Sequence, residues 1–129
     1  MNASKKFILV AEDDKAYASV YKSKLESEGY EVIAVENGNL ALSEMRKRKP
    51  DLLILDLVMP EKSGFEVLEE LRGDTTLKKI KVIIASNLSQ DEDRKKVKEL
   101  GISDYFVKSD ISITEMVERI EKVLLGLPE

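Results

Sequence analysis

Asp56 is the residue of this chain whose position is hardest to explain by packing alone. It directly follows the apolar run Leu52–Leu55 and stands a few residues before Pro60 and Gly64. A continuous apolar run bounded by turn residues is typical of a strand buried on both faces, as in a parallel sheet. Burial of an unpaired carboxylate is unfavourable, so an acid at the end of such a strand indicates chemistry. Open α/β sheets bind ligands beyond the carboxyl ends of their strands, where Asp56 would lie.

Polar side chains with complementary chemistry follow other apolar segments of the chain. One segment ends in a group of acids, another in a hydroxyl and a third in a lysine. A group of acids is tolerated when a hard cation fills it, and Mg²⁺ prefers oxygen ligands of this kind. A metal, a cationic side chain and an oxygen nucleophile are the components of phosphoryl transfer. The residues are Glu12, Asp13 and Asp14 after run 7–11, Ser86 at the end of run 81–86, and Lys108 after run 103–107.

The composition restricts the classes of function that the chain can have. Its 129 residues include 21 basic and 25 acidic ones, and this net charge of −4 disfavours direct binding of nucleic acid. The lack of cysteine and histidine excludes disulfides, thiolate chemistry and a histidine general base. No signal peptide or membrane span is recognisable, so we expect one cytoplasmic domain over residues 1–129, with a tail or linker from about residue 126.

Short apolar runs alternate with segments of helical period along the chain. Five such runs predict strands, and an amphipathic segment that predicts a helix follows each of them. With short loops and right-handed crossovers, this alternation predicts a doubly wound α/β fold with a five-stranded parallel sheet and five flanking helices. The second strand is less apolar than the others, which predicts an edge position and the strand order 2-1-3-4-5. The predicted strands are 7–11, 30–35, 52–55, 81–86 and 103–107.

Local signals mark where the helices begin and end. Asp14 is expected to cap the first helix, Gly29 to follow its last turn, and Pro50 to stop the second helix. Each of the last three helices is preceded by a serine with a glutamate three positions later, which is the spacing of a capping box. These pairs are Ser63 and Glu66, Ser89 and Glu92, and Ser112 and Glu115.

In this strand order the first and third strands are neighbours, which would bring Glu12 and Asp13 next to Asp56. At this point the chain resembles the receiver domain of bacterial two-component response regulators, the fold of the single-domain chemotaxis regulator. The resemblance covers essentially the whole chain, with the motifs in the family's order and spacing. The motifs are ILVAEDD, LLILDLVMPEKSG, VIIAS and YFVKSD.

The resemblance implies that Asp56 accepts a phosphoryl group in a metal-dependent reaction. The phosphodonor would be a histidine kinase, a phosphotransfer protein or a small molecule. Asp13, Asp56 and the backbone carbonyl of Val58 would bind Mg²⁺, or Mn²⁺ in its place. Glu12 would act on the metal through water because its side chain is longer than that of aspartate.

The resemblance also implies a switch. Ser86 would bind the phosphoryl group and move toward it, Lys108 would pair with it, and Tyr105 holds the position of the family's switch aromatic. The surface of the fourth and fifth helices and the fifth strand would then change and contact an unidentified downstream protein. Kinase docking would use the first helix, near Tyr17 and Val20. We expect a monomer or a weak homodimer.

Several positions depart from the family pattern. Ser109 replaces the usual proline, and a cis bond before serine costs about 2.5–4 kcal/mol, so we expect a trans Lys108–Ser109 bond unless local contacts hold it cis. Asn87 is bulkier than the alanine common there, and it could narrow the donor's access or hydrogen-bond the phosphoryl group. Val58 and Leu88 are apolar where they would flank the hydrolytic water, which predicts a long-lived acyl phosphate.

Two other functions use part of the same chemistry. A Mg²⁺-dependent phosphohydrolase with an aspartyl-phosphate intermediate commonly has a second aspartate two positions after the nucleophile, and here that residue is Val58. A receiver-like scaffold that takes no phosphate is disfavoured because Asp13, Asp56, Ser86 and Lys108 are all present. Taken singly, Ser86, Lys108 and Tyr105 have ordinary structural explanations, but all of them map to one edge of one sheet. We therefore expect a signalling module rather than an enzyme.

Overall fold

The described part of the chain forms a five-stranded parallel sheet with helices on both faces, in the predicted strand order β2-β1-β3-β4-β5. The computed structural model describes residues 5–127, so residues 1–4 and 128–129, the latter in the predicted tail, lie outside it. The strands are β1 (Phe7–Ala11), β2 (Glu31–Val35), β3 (Leu52–Leu55), β4 (Val82–Ser86) and β5 (Asp104–Val107). The helices are α1 (Lys15–Ser27), α2 (Gly38–Lys47), α3 (Gly64–Gly73), α4 (Asp91–Leu100) and α5 (Ile113–Leu125). None of these helices is long and apolar enough to cross a membrane.

Both faces of the sheet are covered by apolar side chains. Alternate residues of the central strands point to opposite faces, so that Leu9 and Leu53 pack with α2, α3 and α4, whereas Ile8 and Ile54 pack with α1 and α5. Every residue of β1, β3 and β4 is buried, which explains why these strands read as continuous apolar runs. β2 has exposed positions and lies at one edge, as predicted.

Most of the predicted helix signals are confirmed. The Asp14 side chain caps α1 by accepting hydrogen bonds from the backbone N–H groups of Ala16 and Tyr17. Ser63 and Glu66 form a reciprocal capping box at α3, and Ser112 caps α5. Each of these caps pairs a backbone N–H that the helix itself leaves without a partner.

The predicted capping box at α4 is wrong. The helix begins at Asp91 after Gln90, so Ser89 lies one position too early to cap it, and the Gln90 side chain makes no capping hydrogen bond. The first turn instead carries Asp91, Glu92 and Asp93, whose negative charges interact favourably with the helix dipole. Three of the predicted strands also begin one residue later than expected, at Glu31, Val82 and Asp104 in place of residues 30, 81 and 103.

Gly64 allows α3 to begin directly against the backbone of Asp56. A Cβ atom added to Gly64 would lie 2.1 Å from the carbonyl oxygen of Asp56 and 2.8 Å from the Cα of Leu57. The Gly64 N–H donates a 3.0 Å hydrogen bond to the Leu57 carbonyl. The turn after β3 is therefore held against the start of α3, which fixes the backbone that carries the Asp56 side chain.

Arg72, near the end of α3, connects this helix to the end of α4 and to the segment that precedes β4. Its guanidinium donates hydrogen bonds of 2.7–3.2 Å to the carbonyls of Leu100 and Gly101, at the end of α4. It also donates to the carbonyls of Lys78 and Ile80, which precede β4, at 2.8 and 2.9 Å. The carbonyls at a helix end have no partner within the helix, so Arg72 supplies α4 with a cap from another helix.

We predict that Gly64→Ala destabilises the fold by about 1–3 kcal/mol, because the added methyl group has no space beside the Asp56 carbonyl. Chemical denaturation of the variant measures this loss. Gly73→Ala is the matched control, since it makes the same change at the other end of α3, where nothing lies within 4 Å of the added Cβ. Equal stabilities of the two variants would contradict the prediction.

We predict that Arg72→Met lowers the free energy of unfolding by about 2–4 kcal/mol, because the substitution leaves four backbone carbonyls without their donor. Urea unfolding followed by circular dichroism measures the change. Lys95→Met, at an exposed position of α4, makes the same substitution for a neighbouring basic residue and should change stability by less than about 0.5 kcal/mol. A loss no larger than that of the control would refute the capping role of Arg72.

Candidate functional site

Four polar side chains are buried together at the carboxyl edge of the sheet. Each of them stands at the end of a different strand, and the fold brings the ends of β1, β3, β4 and β5 to one place. Their exposed fractions range from 1% to 9%, which is unusual for charged groups and requires that they have partners. The four are Glu12, Asp56, Ser86 and Lys108.

Lys108 links two buried carboxylates. Its Nζ atom lies 2.7 Å from Glu12 Oε1 and 3.0 Å from Asp56 Oδ2. Burial raises the pKa of Glu12 to about 7, against the lowering effect of its hydrogen bonds with Lys108 and the Asp14 backbone. Burial alone would lower the pKa of Lys108, but its hydrogen bonds with both carboxylates raise it above the ordinary value. The Lys108 ammonium therefore remains charged near neutral pH.

The predicted acidic cluster is present. Carboxylate oxygens of Glu12, Asp13 and Asp56 lie within 4.8 Å of one another, with Asp13 exposed and the other two buried. Both oxygens of Glu12 have partners, because Oε1 accepts from Lys108 and Oε2 accepts from the Asp14 N–H at 3.0 Å. Asp13 is thus the member of the cluster most open to an incoming ligand.

The donor set of this cluster fits a hard divalent cation. When all three carboxylates are ionised, they and the ammonium group carry a formal charge of −2, which one divalent cation balances. All the side-chain donors are oxygen atoms, the ligand type that Mg²⁺ and Mn²⁺ prefer. The backbone of Val58 adjoins the cluster, since its N–H donates to Asp56 Oδ1 at 3.3 Å.

Ser86 and Tyr105 both contact the loop that follows β4. The Ser86 hydroxyl accepts a 3.2 Å hydrogen bond from the Leu88 N–H, and the Tyr105 hydroxyl donates to the Leu88 carbonyl. The guanidinium of Arg94 lies 4.5 Å from the centre of the Tyr105 ring. Tyr105 is half-buried, and its hydroxyl connects β5 to the residues that would surround a group bound to Asp56.

An open cavity of about 440 Å³ lies over Asp56. Val58 and Leu88, which the sequence analysis expects to flank the hydrolytic water, form part of its wall. Val58 is 59% exposed, so its side chain faces solvent at the mouth of the cavity. The remaining lining residues are Asp13, Asp14, Ser86, Asn87 and Lys108.

The peptide bond between Lys108 and Ser109 is trans, the isomer expected for serine. With this bond trans, the Lys108 side chain still reaches Asp56. A short 3-10 turn (Lys108–Asp110), which the sequence analysis did not predict, begins at the lysine itself.

Two further contacts of the site have no signal in the sequence. The Lys108 Nζ atom lies 4.6 Å from the centre of the Tyr17 ring, so the first helix supplies a cation–π partner to the buried ammonium. The Asn87 side chain accepts a 2.9 Å hydrogen bond from the Ser109 N–H. No sequence signal pairs Asn87 with Ser109, because they are 22 positions apart and meet only through the β4–β5 pairing.

Known proteins are similar to this chain in sequence and in fold. A family model described as response regulator receiver domain matches residues 8–121. The polar-differentiation response regulator DivK of Brucella anthropi is 32% identical over 119 residues, which are 92% of this chain and 96% of that protein. The solved signal receiver domain of a signal transduction histidine kinase from Syntrophus aciditrophicus is 31% identical, with a TM-score of 0.85 over 96% of this chain and 93% of that one. The Mn²⁺-bound form of response regulator Rcp1 is 29% identical, with a TM-score of 0.83 over 96% and 99%.

The family match spans most of the chain and includes all five strands from Ile8 onward, together with the acidic cluster and Lys108. Sequence and structure comparisons therefore agree with the geometry at the edge of the sheet. The chain belongs to the family of response regulator receiver domains, which are signalling modules of two-component systems.

Proposed function

We propose that this receiver domain is switched by phosphorylation of Asp56. The observation that supports this most directly is the position of its carboxylate, which is 4% exposed and lies between the Lys108 ammonium and the acidic cluster. A buried carboxylate beside a fixed cation can attack an electrophile whose negative charge that cation neutralises. The donor would be a phosphohistidine of a kinase or phosphotransfer protein, or a small acyl phosphate.

Three side chains, those of Asp56, Lys108 and Ser86, have separate roles in the proposed phosphoryl transfer. A carboxylate oxygen of Asp56 attacks phosphorus, and the bond from phosphorus to the donor's nitrogen or oxygen breaks, with the electron pair leaving on the donor. Lys108 neutralises charge on the transferred group, and the Ser86 hydroxyl can donate a hydrogen bond to it. Asp56 then carries the phosphoryl group as a mixed anhydride, which water hydrolyses to the Asp56 carboxylate and inorganic phosphate.

A divalent cation would be held by Asp13, Asp56 and the backbone carbonyl of Val58, with Glu12 acting through water. The donor chemistry of the acidic cluster supports Mg²⁺, and the Mn²⁺-bound form of the similar regulator Rcp1 supports Mn²⁺ as a substitute. Such a cation, when bound, supplies positive charge to the phosphoryl oxygens. Glu12 already has partners for both oxygens, which agrees with an indirect role.

The switch would act through the loop after β4. A phosphoryl group on Asp56 attracts the Ser86 hydroxyl, and Ser86 then gives up its hydrogen bond with the Leu88 N–H. The Tyr105 hydroxyl, which donates to the Leu88 carbonyl, repacks with the loop. A downstream protein would recognise the resulting change in α4, β5 and α5. The receiver domain itself would be a monomer or a weak homodimer.

The phosphodonor protein would dock beside the site on α1. A cavity of about 270 Å³ opens between α1 and α5, and its wall includes Tyr17, Val20 and Lys108. Val20, which is apolar and 51% exposed, lies on this wall, where a docked protein would cover it. Lys108 lines this cavity and also contacts Asp56, so the docked donor would lie next to the nucleophile.

We further propose that residues 1–129 form a single receiver domain, with a tail from about residue 126.

We predict that acetyl phosphate with Mg²⁺ adds one phosphoryl group to the wild-type chain and none to Asp56→Asn, because the amide lacks the nucleophilic oxygen. Intact mass spectrometry measures the adduct, and removal of Mg²⁺ by EDTA should prevent it. Asp91→Asn makes the same change at an exposed residue of α4 and should be phosphorylated like the wild type.

Three results of this experiment would contradict the proposal. A wild-type chain that forms no adduct with acetyl phosphate or with fluoroberyllate would be a scaffold without phosphoacceptor activity. Rapid release of inorganic phosphate without accumulation of the adduct would indicate a phosphohydrolase. An adduct that still forms in Asp56→Asn would mean that a residue other than Asp56 is phosphorylated.

We predict that Val58→Asn and Leu88→Asn each shorten the lifetime of the phosphorylated protein by about three- to tenfold, which is the contribution of one hydrogen bond that orients the attacking water. The loss of the phosphoryl group after removal of the donor gives the rate. Leu125→Asn introduces the same side chain at an exposed position in the last turn of α5 and is the control. Lifetimes equal to that of the control would show that the apolar wall does not set the rate.

A further inference from the structure

A hydrogen bond connects the two loops that carry Ser86 and Lys108. The Asn87 Oδ1 atom accepts from the Ser109 N–H at 2.9 Å. Asn87 follows Ser86 directly, and Ser109 follows Lys108 directly, so the bond lies one residue from each of these buried side chains. Both bonded residues are exposed at the surface.

The sheet does not hold the backbone of Lys108. The last pair between β4 and β5 is Ser86 with Val107, and Lys108 already belongs to the short 3-10 turn beyond it. A lysine side chain has many rotamers, so the place of its ammonium group depends on how firmly its Cα is fixed. A contact just beyond the last β pair is therefore well placed to fix the Cα from which Lys108 extends.

The orientation of the Asn87 amide follows from its partner. A backbone N–H can bond only to an acceptor, so the oxygen of the amide must face Ser109 and its NH₂ group must face away. A proline at position 109 would have no N–H and could not make this bond. The contact therefore depends on both residues, and both are positions at which the sequence departs from the family pattern.

We propose that Asn87 is a positioning residue for Lys108. Through the Ser109 N–H it fixes the start of the 3-10 turn, and it thereby holds the Lys108 ammonium on Asp56 Oδ2. Because Asn87 adjoins Ser86, a movement of Ser86 toward a group on Asp56 is also transmitted to the backbone of Lys108. The transmission of Ser86 movement rests on the proposed phosphorylation of Asp56. The positioning of Lys108 does not, because the Asn87–Ser109 hydrogen bond is present without a phosphoryl group.

The experiment compares Asn87→Ala, which removes the acceptor, with Asn87→Asp, which keeps it. Ser89→Ala in the same loop is the control, since Ser89 is exposed and its side chain has no hydrogen bond to any residue in 5–127. The first readout, by NMR without ligand, is the exchange rate of the Ser109 amide and the signal of the Lys108 ammonium. We expect Asn87→Ala to speed the exchange and shift the ammonium signal, whereas Ser89→Ala leaves both near wild type and Asn87→Asp keeps the exchange slow.

The second readout is the affinity for fluoroberyllate with Mg²⁺. We expect Asn87→Ala to weaken binding by about three- to tenfold, the range that one hydrogen bond gives. In a Lys108→Ala background the same substitution should have no further effect, because the residue that Asn87 positions is then missing. Circular dichroism and urea unfolding check that each variant folds.

The outcomes separate this inference from its alternatives. An unchanged Lys108 signal in Asn87→Ala would overturn it, and so would unchanged fluoroberyllate affinity despite a lost Ser109 bond. An equal loss of affinity with and without Lys108 would mean that Asn87 contacts the phosphoryl mimic directly, which also overturns it. If the wild type binds no fluoroberyllate, the proposed phosphorylation fails, and the ligand-free NMR comparison still decides whether Asn87 positions Lys108.

Discussion

The site depends on one ammonium group that two buried carboxylates share. Lys108 Nζ lies 2.7 Å from Glu12 and 3.0 Å from Asp56, and burial deprives all three groups of hydration by water. An unpaired charge in such a site is unfavourable. An element that determines the position of one of these three groups therefore also restrains the other two. The carboxylates still outnumber the ammonium, which leaves the site suited to a divalent cation and to an electrophile with negative oxygens.

The two sides of the site differ in how firmly they are held. On the β1 and β3 side, the neighbouring strands are fully buried, and Gly64 packs against the backbone of Asp56 with no space for a side chain. On the β4 and β5 side, residues 86–88 are joined to β5 and the following turn by the side chains of Tyr105 and Asn87. The proposed switch requires that a group bound to Asp56 moves residues 86–88 without displacing Asp56 itself, and these different contacts suit that requirement.

The sequence predicted most of this arrangement because its signals are local or periodic. Buried parallel strands give continuous apolar runs, so the ends of β1, β3 and β4, and with them Glu12, Asp56 and Ser86, could be located in advance. The capping box predicted at Ser89 failed because the same spacing of serine and glutamate can occur one residue out of phase with the helix start. The 3-10 turn at Lys108 gave no periodic signal, being only three residues long.

The sequence by itself determined the fold class, the strand order and the set of chemical groups at one edge of the sheet. Its hydrophobic period specifies which faces are buried, and parallel topology then gathers the carboxyl ends of the strands. Only the tertiary structure decided which groups pair: Lys108 with both Glu12 and Asp56, Tyr17 over the ammonium, and Asn87 with Ser109. These contacts join residues far apart in the chain, and their distances depend on side-chain rotamers and loop geometry, for which the sequence carries no periodic signal.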